Sequence, residues 1–402
     1  MNKIEIMKGI YWVGAIDRAV RHFHGHAYTT PRGTTYNAYL IKGEKNVLVD
    51  TVYPPFIDDM FDRIKEVMDP SKIDYVVANH AEPDHSGGLP AVMEKIPHAK
   101  IFCTAKGKEG FSKYYSDKWD YRVVKTGDEI SIGGRTLKFI EAPMIHWPDS
   151  MFTYIKEDGL LMPNDAFGQH LATDERFDDE VDQDVLRYEM SKYYANILLP
   201  LSRIIAKKLD EVKALGLPIK MIAPSHGIIW RKNISLPIEE YTKWSRGDAA
   251  GKAVIVYETM YRSTEMMAEA IADGLEKEGV ESIVYNFPES DHSHIIKDVM
   301  ENRGLIVGSS TMHNDILPSI ASFVHEVKVL KPIKKIGASF GSRGWAGGAV
   351  KKIEDILRGI GADVIESGLD FQYKPSEPEL EKCVEFGRRF ALKMRDGQPA
   401  AL

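Results

Sequence analysis

Short apolar runs separated by turn signals dominate roughly the first 240 residues of the chain. Residues 36–41 and 46–50 are strand-like on either side of a Lys-Gly-Glu-Lys turn, which predicts a hairpin. Strands with helices outside them, without a regular one-to-one alternation, favour an αβ/βα sandwich. Further strands are predicted at 73–79, 100–103, 121–124, 136–141, 152–155 and 221–223, and helices at 56–67 and at 182–215 with an interruption at Pro200.

The pattern changes after a segment of small residues at 244–251, which we interpret as a linker. We therefore predict one domain at 1–248 and a second at 252–402. Five strands that alternate with helices predict a doubly wound parallel sheet of flavodoxin type, so the fold class is α/β in both domains. These strands are predicted at 253–257, 282–285, 305–307, 336–340 and 363–365, and the helices start near residues 264, 295, 320, 349 and 379.

Composition and charge exclude several classes of function. The chain has 402 residues, a formal net charge of −7 and a mixture of acidic and basic residues along its length. We therefore expect neither nucleic acid nor an anionic membrane as its main partner. No long apolar run follows the N-terminus, which predicts neither a signal peptide nor a membrane span. Two distant cysteines, Cys103 and Cys383, fit a reducing compartment, and we expect a cytoplasmic protein.

Four potential metal ligands lie within the six residues 80–85. His80, Glu82, Asp84 and His85 follow directly after the apolar strand predicted at 73–79. Apolar neighbours cannot satisfy two imidazoles and two carboxylates at the end of a buried strand, so these groups must be solvated, paired or bound to a cation. Because chance rarely places four such donors together, metal binding is the most economical interpretation.

Three more donors follow strand-like runs elsewhere in the first domain. They are His146, Asp165 and His226, and each lies in a turn, where functional residues concentrate. Taken singly, such a residue is more often solvated or a helix cap than a metal ligand. Seven donors are too many for one ion, whereas two ions about 3.5–4 Å apart would use them all. The sequence therefore predicts a pair of metal ions.

Hydroxyl residues lie between the first strand and the first helix of the second domain. Backbone amides and the positive end of a helix attract phosphate, and Thr259, Ser263 and Thr264 can donate further hydrogen bonds. This segment has no GxxxxGK motif, so it is not a nucleoside-triphosphate loop. A helix cap without any ligand would use the same residues.

Two segments rich in glycine and serine, 308–315 and 341–348, leave the third and fourth strands of this domain. Both lie beside the topological switch point of the predicted sheet, where the ring of FMN should bind, and Trp345 offers the ring a stacking surface. The candidate flavin-binding residues are Thr259, Met260, Tyr261, Arg262, Ser263, Thr264, Ser310, Thr311, Met312, His313, Asn314, Asp315, Ser342, Arg343, Gly344, Trp345, Ala346 and Gly347.

The loop at 80–85 resembles that of the metallo-β-lactamase superfamily, which normally reads His-x-His-x-Asp-His and holds zinc. Here Glu82 replaces the second histidine, and a site richer in oxygen suits iron or manganese better than an all-nitrogen site does. The superfamily layout implies two ligand sets and a bridge, namely His80, Glu82 and His146 for one ion, Asp84, His85 and His226 for the other, and Asp165 between them.

The two sites together resemble those of the flavodiiron proteins, also called A-type flavoproteins or rubredoxin:oxygen oxidoreductases. Two residues depart from the family pattern, because Ser310 stands where many members have proline and Arg343 is a charged residue in a loop expected to meet the flavin. The resemblance covers essentially the whole chain and rests on residues 33–40, 80–85, 146–151, 164–169, 193–196, the His226 loop and the flavin loops.

The resemblance implies an oxidoreductase that reduces dioxygen to water, nitric oxide to nitrous oxide, or both. It implies two iron ions and one FMN per chain, and a head-to-tail homodimer or a tetramer in which the FMN of one chain serves the diiron centre of another. No pair of CxxC motifs of rubredoxin type is present in the sequence, so we expect electrons from a separate donor such as rubredoxin.

Two other functions compete with this interpretation. A zinc hydrolase fused to a flavodoxin domain would use the same fold, but Glu82 argues against zinc. A non-catalytic electron carrier would leave seven candidate donors without a purpose. His24, His170, Tyr193 and Tyr194 are candidates either for orienting a ligand or substrate or for ordinary packing.

Overall fold

The computed structural model describes residues 3–25 and 28–396, which form two compact units. The first unit contains residues 3–25, 30–193 and 203–242. The second contains residues 28–29, 194–202 and 243–396. No helix in these described ranges is both long and apolar enough to cross a membrane.

The elements up to residue 246 are mostly short strands. The strands are β1 (Ile4–Met7), β2 (Ile10–Trp12), β3 (Ala15–Asp17), β4 (His22–Phe23), β5 (Tyr28–Thr29), β6 (Thr34–Tyr36), β7 (Tyr39–Ile41), β8 (Asn46–Val49), β9 (Ile73–Val77), β10 (Lys100–Cys103), β11 (Tyr121–Val123), β12 (Glu129–Ser131), β13 (Thr136–Glu141), β14 (Met151–Ile155), β15 (Leu160–Met162) and β16 (Met221–Ile222). The helices are α1 (Ile57–Val67), α2 (Pro83–Ser86), α3 (Leu89–Lys95), α4 (Ala105–Tyr114), α5 (Gln183–Tyr193), α6 (Ser202–Ala214) and α7 (Ser235–Arg246).

Two sheets form the centre of the first unit. One has the strand order β1-β2-β7-β8-β9-β10-β11 and the other β12-β13-β14-β15-β16. One hydrophobic cluster combines side chains of both sheets, such as Val49 and Phe102 with Phe139 and Met151. A second cluster joins the first sheet to its helices, through residues such as Phe61 of α1 and Val92 of α3. The predicted αβ/βα sandwich is therefore confirmed.

The predicted hairpin is confirmed as the antiparallel pair β7 and β8, in which Tyr39 lies opposite Val49. Parallel pairing of β8, β9 and β10 follows it, and most residues of these strands are buried, as expected for parallel strands in a sheet interior. The predicted helical interruption at Pro200 is also confirmed, since a π-helical turn (Tyr194–Leu198) and a 3₁₀ turn (Leu199–Leu201) separate α5 from α6.

The second unit contains a five-stranded parallel path with the order β18-β17-β19-β21-β22. This order is that of flavodoxin-like sheets, so the predicted doubly wound topology is confirmed. The strands are β17 (Ala250–Glu258), β18 (Ser282–Asn286), β19 (Asn302–Met312), β20 (Asp315–Ile316), β21 (Ile336–Arg343), β22 (Asp363–Val364) and β23 (Leu369–Gln372). The helices are α8 (Ser263–Lys277), α9 (His292–Glu301), α10 (Pro318–Leu330), α11 (Ala349–Gly359) and α12 (Glu377–Asp396).

The structure adds several elements that the pattern did not predict. Strands β1, β2 and β12 lie at or near sheet edges. β22 pairs with the beginning of β21, and β23 pairs with its end. Strands β19 and β21 continue to Met312 and Arg343, into segments predicted as loops. Serine and glycine are weak strand formers, and cross-strand pairing rather than propensity keeps these segments extended.

Gly308 in β19 supplies the first test of the fold. A Cβ atom there would lie 2.2 Å from Cζ of Phe340, the fully buried residue opposite it in β21. Because overpacking a core costs about 1–3 kcal/mol, we expect Gly308→Ala to lower the unfolding temperature of the second unit in calorimetry.

Gly359 at the end of α11 is the matched control, since nothing lies within 4 Å of a Cβ atom built there. Alanine is a better helix former than glycine by about 1 kcal/mol, so Gly359→Ala should hold or raise the unfolding temperature. Equal unfolding temperatures for the two variants would contradict the described packing of β19 against β21.

Candidate metal centre and flavin cleft

The seven predicted metal ligands of the first unit are brought together at strand ends. His80 and Glu82 follow β9, and the four-residue helix α2 carries Asp84 and His85. Pro83 at the start of α2 fixes the backbone there, and the Glu82 carbonyl accepts the first helical hydrogen bonds. The remaining donors are His146 in the turn between β13 and β14, Asp165 after β15, and His226 after β16.

The donors form two sets, each with its ligand atoms within 4.8 Å of one another. In the first set, Oε2 of Glu82 lies 3.3 Å from Nε2 of His80 and 3.1 Å from Nε2 of His146. In the second set, Oδ2 of Asp84 lies 3.4 Å from Nε2 of His85 and 3.2 Å from Nε2 of His226. Each set thus offers two imidazole nitrogens and one carboxylate.

Asp165 lies between the two sets and turns one oxygen toward each. Its Oδ2 is 3.6 Å from Nε2 of His80 and 3.3 Å from Nε2 of His146. Its Oδ1 is 2.9 Å from Nε2 of His85 and 3.6 Å from Nε2 of His226. This is the arrangement that a carboxylate bridging two cations requires.

Electrostatics in the centre favour positive charge. Burial would lower the pKa of His80, but its contacts with Asp149 and Glu82 outweigh burial and raise that pKa to about 10. The pKa of His146 is likewise raised to about 10, against the effect of burial, by Asp165 and Glu82. Burial would raise the pKa of Asp165, yet the charge of His85 and the contact with His146 hold it well below its ordinary value. The buried carboxylates therefore favour positive charge at the place where the imidazole nitrogens meet.

A buried carboxylate oxygen tests the fit of a metal. Asp84 Oδ1 is buried and has no hydrogen-bond partner within the described part of the chain. Leaving such an oxygen unpaired costs free energy, whereas a bound cation would satisfy it. Two nitrogens, one terminal carboxylate and a shared carboxylate per set suit iron or manganese, so the residues fit a pair of such ions.

Asp149 is a functional residue that ligand spacing alone missed. Its Oδ2 accepts a hydrogen bond of 3.0 Å from Nδ1 of His80 and one of 2.6 Å from the amide of Ala81. These bonds hold the ring in place and would leave Nε2 of His80 available to a cation. The carboxylate in the turn after His146 was the only sequence signal for this role. On the other side, His226 Nδ1 donates to the Thr35 carbonyl over 2.7 Å.

The four residues without an assigned role differ in their surroundings. His24 reaches the centre, with its Nε2 3.3 Å from Oε1 of Glu82. His170 stacks on Phe23 at 4.1 Å between ring centroids, and burial holds its pKa well below the ordinary value, so it is neutral. Tyr193 lies beside it, at 5.1 Å between ring centroids.

Tyr194 belongs to the second unit, where its hydroxyl pairs with that of Ser202 at 3.1 Å. Its ring packs against Trp244 at 5.3 Å between centroids, and burial raises the pKa of its hydroxyl above the ordinary value. Within the second unit, Tyr194 is therefore a core residue.

A cleft of about 300 Å³ opens at the carboxyl ends of β17, β19 and β21 in the second unit. It is lined by Met260, Tyr261, Ser263, Ser310, Thr311, Met312, His313, Asn314, Ser342, Arg343, Gly344, Trp345, Ala346 and Tyr373. Thirteen of these fourteen were predicted, and Tyr373 was missed because it follows β23, which the pattern did not predict.

Five predicted residues do not line the cleft, although the structure describes them all. Thr264 lies beneath it, and its hydroxyl pairs with those of Ser310 at 3.0 Å and Ser342 at 3.1 Å. Arg262 instead pairs with Glu265, and Asp315 with Lys352. The other two are Thr259 and Gly347.

Thr259 carries the observation that tests the fit of a phosphate. Its hydroxyl oxygen is buried and, within residues 3–25 and 28–396, makes no hydrogen bond. It immediately precedes the loop that leads into α8, whose first residue is Ser263. An unpaired hydroxyl beside a helix N-terminus suits a phosphate group. Above it, the exposed aromatic rings of Tyr261, Trp345 and Tyr373 suit a flat ring.

Comparisons with known proteins match two parts of the chain to two families. Residues 34–227 match the family described as "ODP family beta lactamase", and residues 255–387 match the family described as "Flavodoxin". The chain is 49% identical to a nitric oxide reductase of Moorella thermoacetica over 98% of this chain and 99% of the relative.

Two solved structures share the whole fold. The chain is similar to the rubredoxin oxygen:oxidoreductase of Desulfovibrio gigas, with a TM-score of 0.95 and 36% identity over 98% of this chain and 99% of that one. It is also similar to the flavodiiron protein of Giardia intestinalis, with a TM-score of 0.94 and 36% identity over 99% of both chains.

Asp149 supplies a test of the metal centre. Partners that orient a metal-bound imidazole contribute 10- to 100-fold in affinity, so we expect Asp149→Asn to weaken metal binding by about that factor. Metal retention during dialysis against a graded chelator would measure the change. Asp117→Asn, at an exposed position in the same unit, is the matched control and should retain metal as the unmodified chain does. Equal retention by both variants would contradict the role of Asp149.

Proposed function

The chain belongs to the flavodiiron protein family, and we propose that it reduces dioxygen to water, nitric oxide to nitrous oxide, or both, with electrons that pass through FMN. The observation that carries the proposal is Asp165, whose two oxygens face two separate sets of imidazoles. Two buried sets of donors joined by one carboxylate serve a pair of metal ions, and an electron carrier would need neither set.

The proposed ligands are the seven predicted residues in two sets with one bridge. His80, Glu82 and His146 hold one iron, Asp84, His85 and His226 hold the other, and Asp165 bridges them. When bound, the iron pair supplies a binding position and electrons for a diatomic gas. The carboxylates would favour the more positive, oxidised form of such a pair, and the low exposure of the donors keeps competing water away.

The alternative of a zinc hydrolase is disfavoured by the same residues. Glu82 gives the first set an oxygen where the zinc pattern has a nitrogen, and oxygen-rich sets suit iron. A hydrolase would also have no use for a flavin cleft. Both relatives described above that carry an enzyme name are oxidoreductases.

FMN is the proposed occupant of the cleft in the second unit. We propose that Thr259 and Ser263 bind its phosphate, near the hydroxyls of Thr264, Ser310 and Ser342. The other predicted residues that line the cleft then surround the ribityl chain and ring. The diiron domain is then residues 1–248 and the FMN domain residues 252–402. A separate donor of rubredoxin type reduces the flavin, as the name of the D. gigas protein indicates for that relative.

We further propose a head-to-tail homodimer as the active species. In this arrangement, FMN of one protomer reduces the diiron centre of its partner. The support is the family resemblance alone. An isolated chain would then bind both cofactors and turn over poorly.

Metal analysis combined with gas consumption tests the diiron proposal. We expect anaerobically purified protein to contain two irons per chain and, once photoreduced, to consume dioxygen, nitric oxide or both. Asp165→Ala should lower this turnover by roughly 100-fold or more, beyond what loss of an outer partner costs, because it removes a donor to both ions. Glu82→His should also lower this turnover, because it restores the histidine of the zinc-binding pattern.

Asp120→Ala, at an exposed carboxylate of the same unit, is the control and should keep full turnover. Zinc in place of iron, together with ester or lactam hydrolysis, would instead support the alternative function. Full gas turnover by Asp165→Ala would contradict the assignment of the bridge.

Subunit complementation tests the dimer. Asp165→Ala removes the diiron centre, and Ser263→Asp places a negative charge against the phosphate while remaining compatible with the first turn of a helix. Each variant alone should be inactive. After mixing, random dimers are half heterodimers with one working pair of cofactors each, so we expect roughly a quarter of the unmodified activity. No recovery in a mixture shown to contain heterodimers would mean that electrons do not cross between chains.

A further inference from the structure

A short strand supports the flavin loop that follows β21. β23 (Leu369–Gln372) pairs in parallel with the end of β21, where Arg343 lies opposite Gln372. The amide of Tyr373 donates to the Arg343 carbonyl over 2.7 Å, and Nε2 of Gln372 donates to the Gly344 carbonyl over 2.7 Å. The backbone on both sides of Arg343 is therefore fixed, and its side chain has a defined place.

The guanidinium of Arg343 joins the loop to a partly buried carboxylate. Its Nε lies 3.3 Å from Oδ2 of Asp370, and its Nη1 donates to the Trp345 carbonyl over 3.1 Å. The other oxygen of Asp370 is buried and makes no hydrogen bond with any described residue. Gly347 leaves the space for this pair, because a Cβ atom there would lie 2.6 Å from Oδ2 of Asp370. Arg343 is thus the one described ionic partner of Asp370.

The charge of the cleft is unbalanced. Among its described lining residues, Arg343 is the only arginine or lysine, His313 is the only histidine, and none is an aspartate or a glutamate. Two electrons and one proton convert neutral FMN into its anionic hydroquinone. A fixed cation at the cleft favours that anion over the oxidised ring, just as it favours any negatively charged form beside it.

We infer that Arg343 raises the reduction potential of FMN in this cleft, and that Asp370 limits the rise by partly neutralising the guanidinium. This inference rests on the proposed FMN site. Arg343 takes up no electron itself, since both electrons come from the external donor and the proton from solvent, and the flavin holds the electrons until it passes them on. With Arg343 present, the cleft binds the anionic hydroquinone more tightly than it binds the oxidised ring.

The test is a spectroelectrochemical titration of the full chain reconstituted with FMN, combined with the dissociation constant of oxidised FMN. Arg343→Gln should lower the preference for hydroquinone over oxidised FMN by about tenfold, which for a two-electron couple shifts the midpoint potential down by about 30 mV. Asp370→Asn should shift it in the opposite direction. Arg343→Lys keeps the charge without the planar fork, so its potential should stay nearer to that of the unmodified chain.

Arg389→Gln is the matched control, because this exposed arginine of the same unit pairs with Glu366 and does not line the cleft. It should leave the potential unchanged. If the Arg343–Asp370 pair only supports the loop, Arg343→Gln and Asp370→Asn will both weaken the binding of oxidised FMN. The two variants will then show no opposite shifts in midpoint potential, and the inference is overturned. Unmodified protein that binds no FMN would overturn the proposed function as well, whereas normal binding with unmoved potentials would overturn this inference alone.

Discussion

A buried carboxylate shared between two groups of imidazoles is the constraint on which the first unit depends. Asp165 is 1% exposed, and each of its oxygens faces two histidine nitrogens. A carboxylate buried alone would be strongly unfavourable, so its neighbours must carry positive charge as protons or as metal ions. The two sheets meet this demand together, because β9 of one sheet and β15 and β16 of the other each deliver donors at their ends.

Much of this could be predicted from the sequence, because the strongest signals are local. The run at 73–79 followed by four donors located the metal loop, and β10 and β13 have the predicted bounds. The role of Asp149 was harder to predict, since nothing local distinguishes a carboxylate that orients an imidazole from one that is solvated. The same holds for β23 and Tyr373, whose place is set by pairing with a strand about thirty residues earlier.

The flavin cleft shows a different balance between local and distant information. Its loops were recognised from glycine and hydroxyl content, but the length of β19 and β21 was not, because neighbouring strands keep serine-rich segments extended. The three hydroxyls of Thr264, Ser310 and Ser342 come from three segments far apart in sequence and meet beneath the cleft. The parallel register of β19 and β21 places Ser310 opposite Ser342, and the first turn of α8 brings Thr264 to them, so no single loop could reveal that the three meet.

The short helix α2 has a further consequence. Glu82, directly before the helix, belongs to one donor set, whereas Asp84 and His85, within the helix, belong to the other. A displacement of this turn would move donors of both sets, and Asp165 also contacts histidines of both sets. Binding of a metal ion at one position should therefore change the affinity for an ion at the other position. The factor is the same whichever position fills first, since such coupling is reciprocal. A substitution that alters the affinity of one position through α2 or Asp165 should therefore alter the affinity of the other as well.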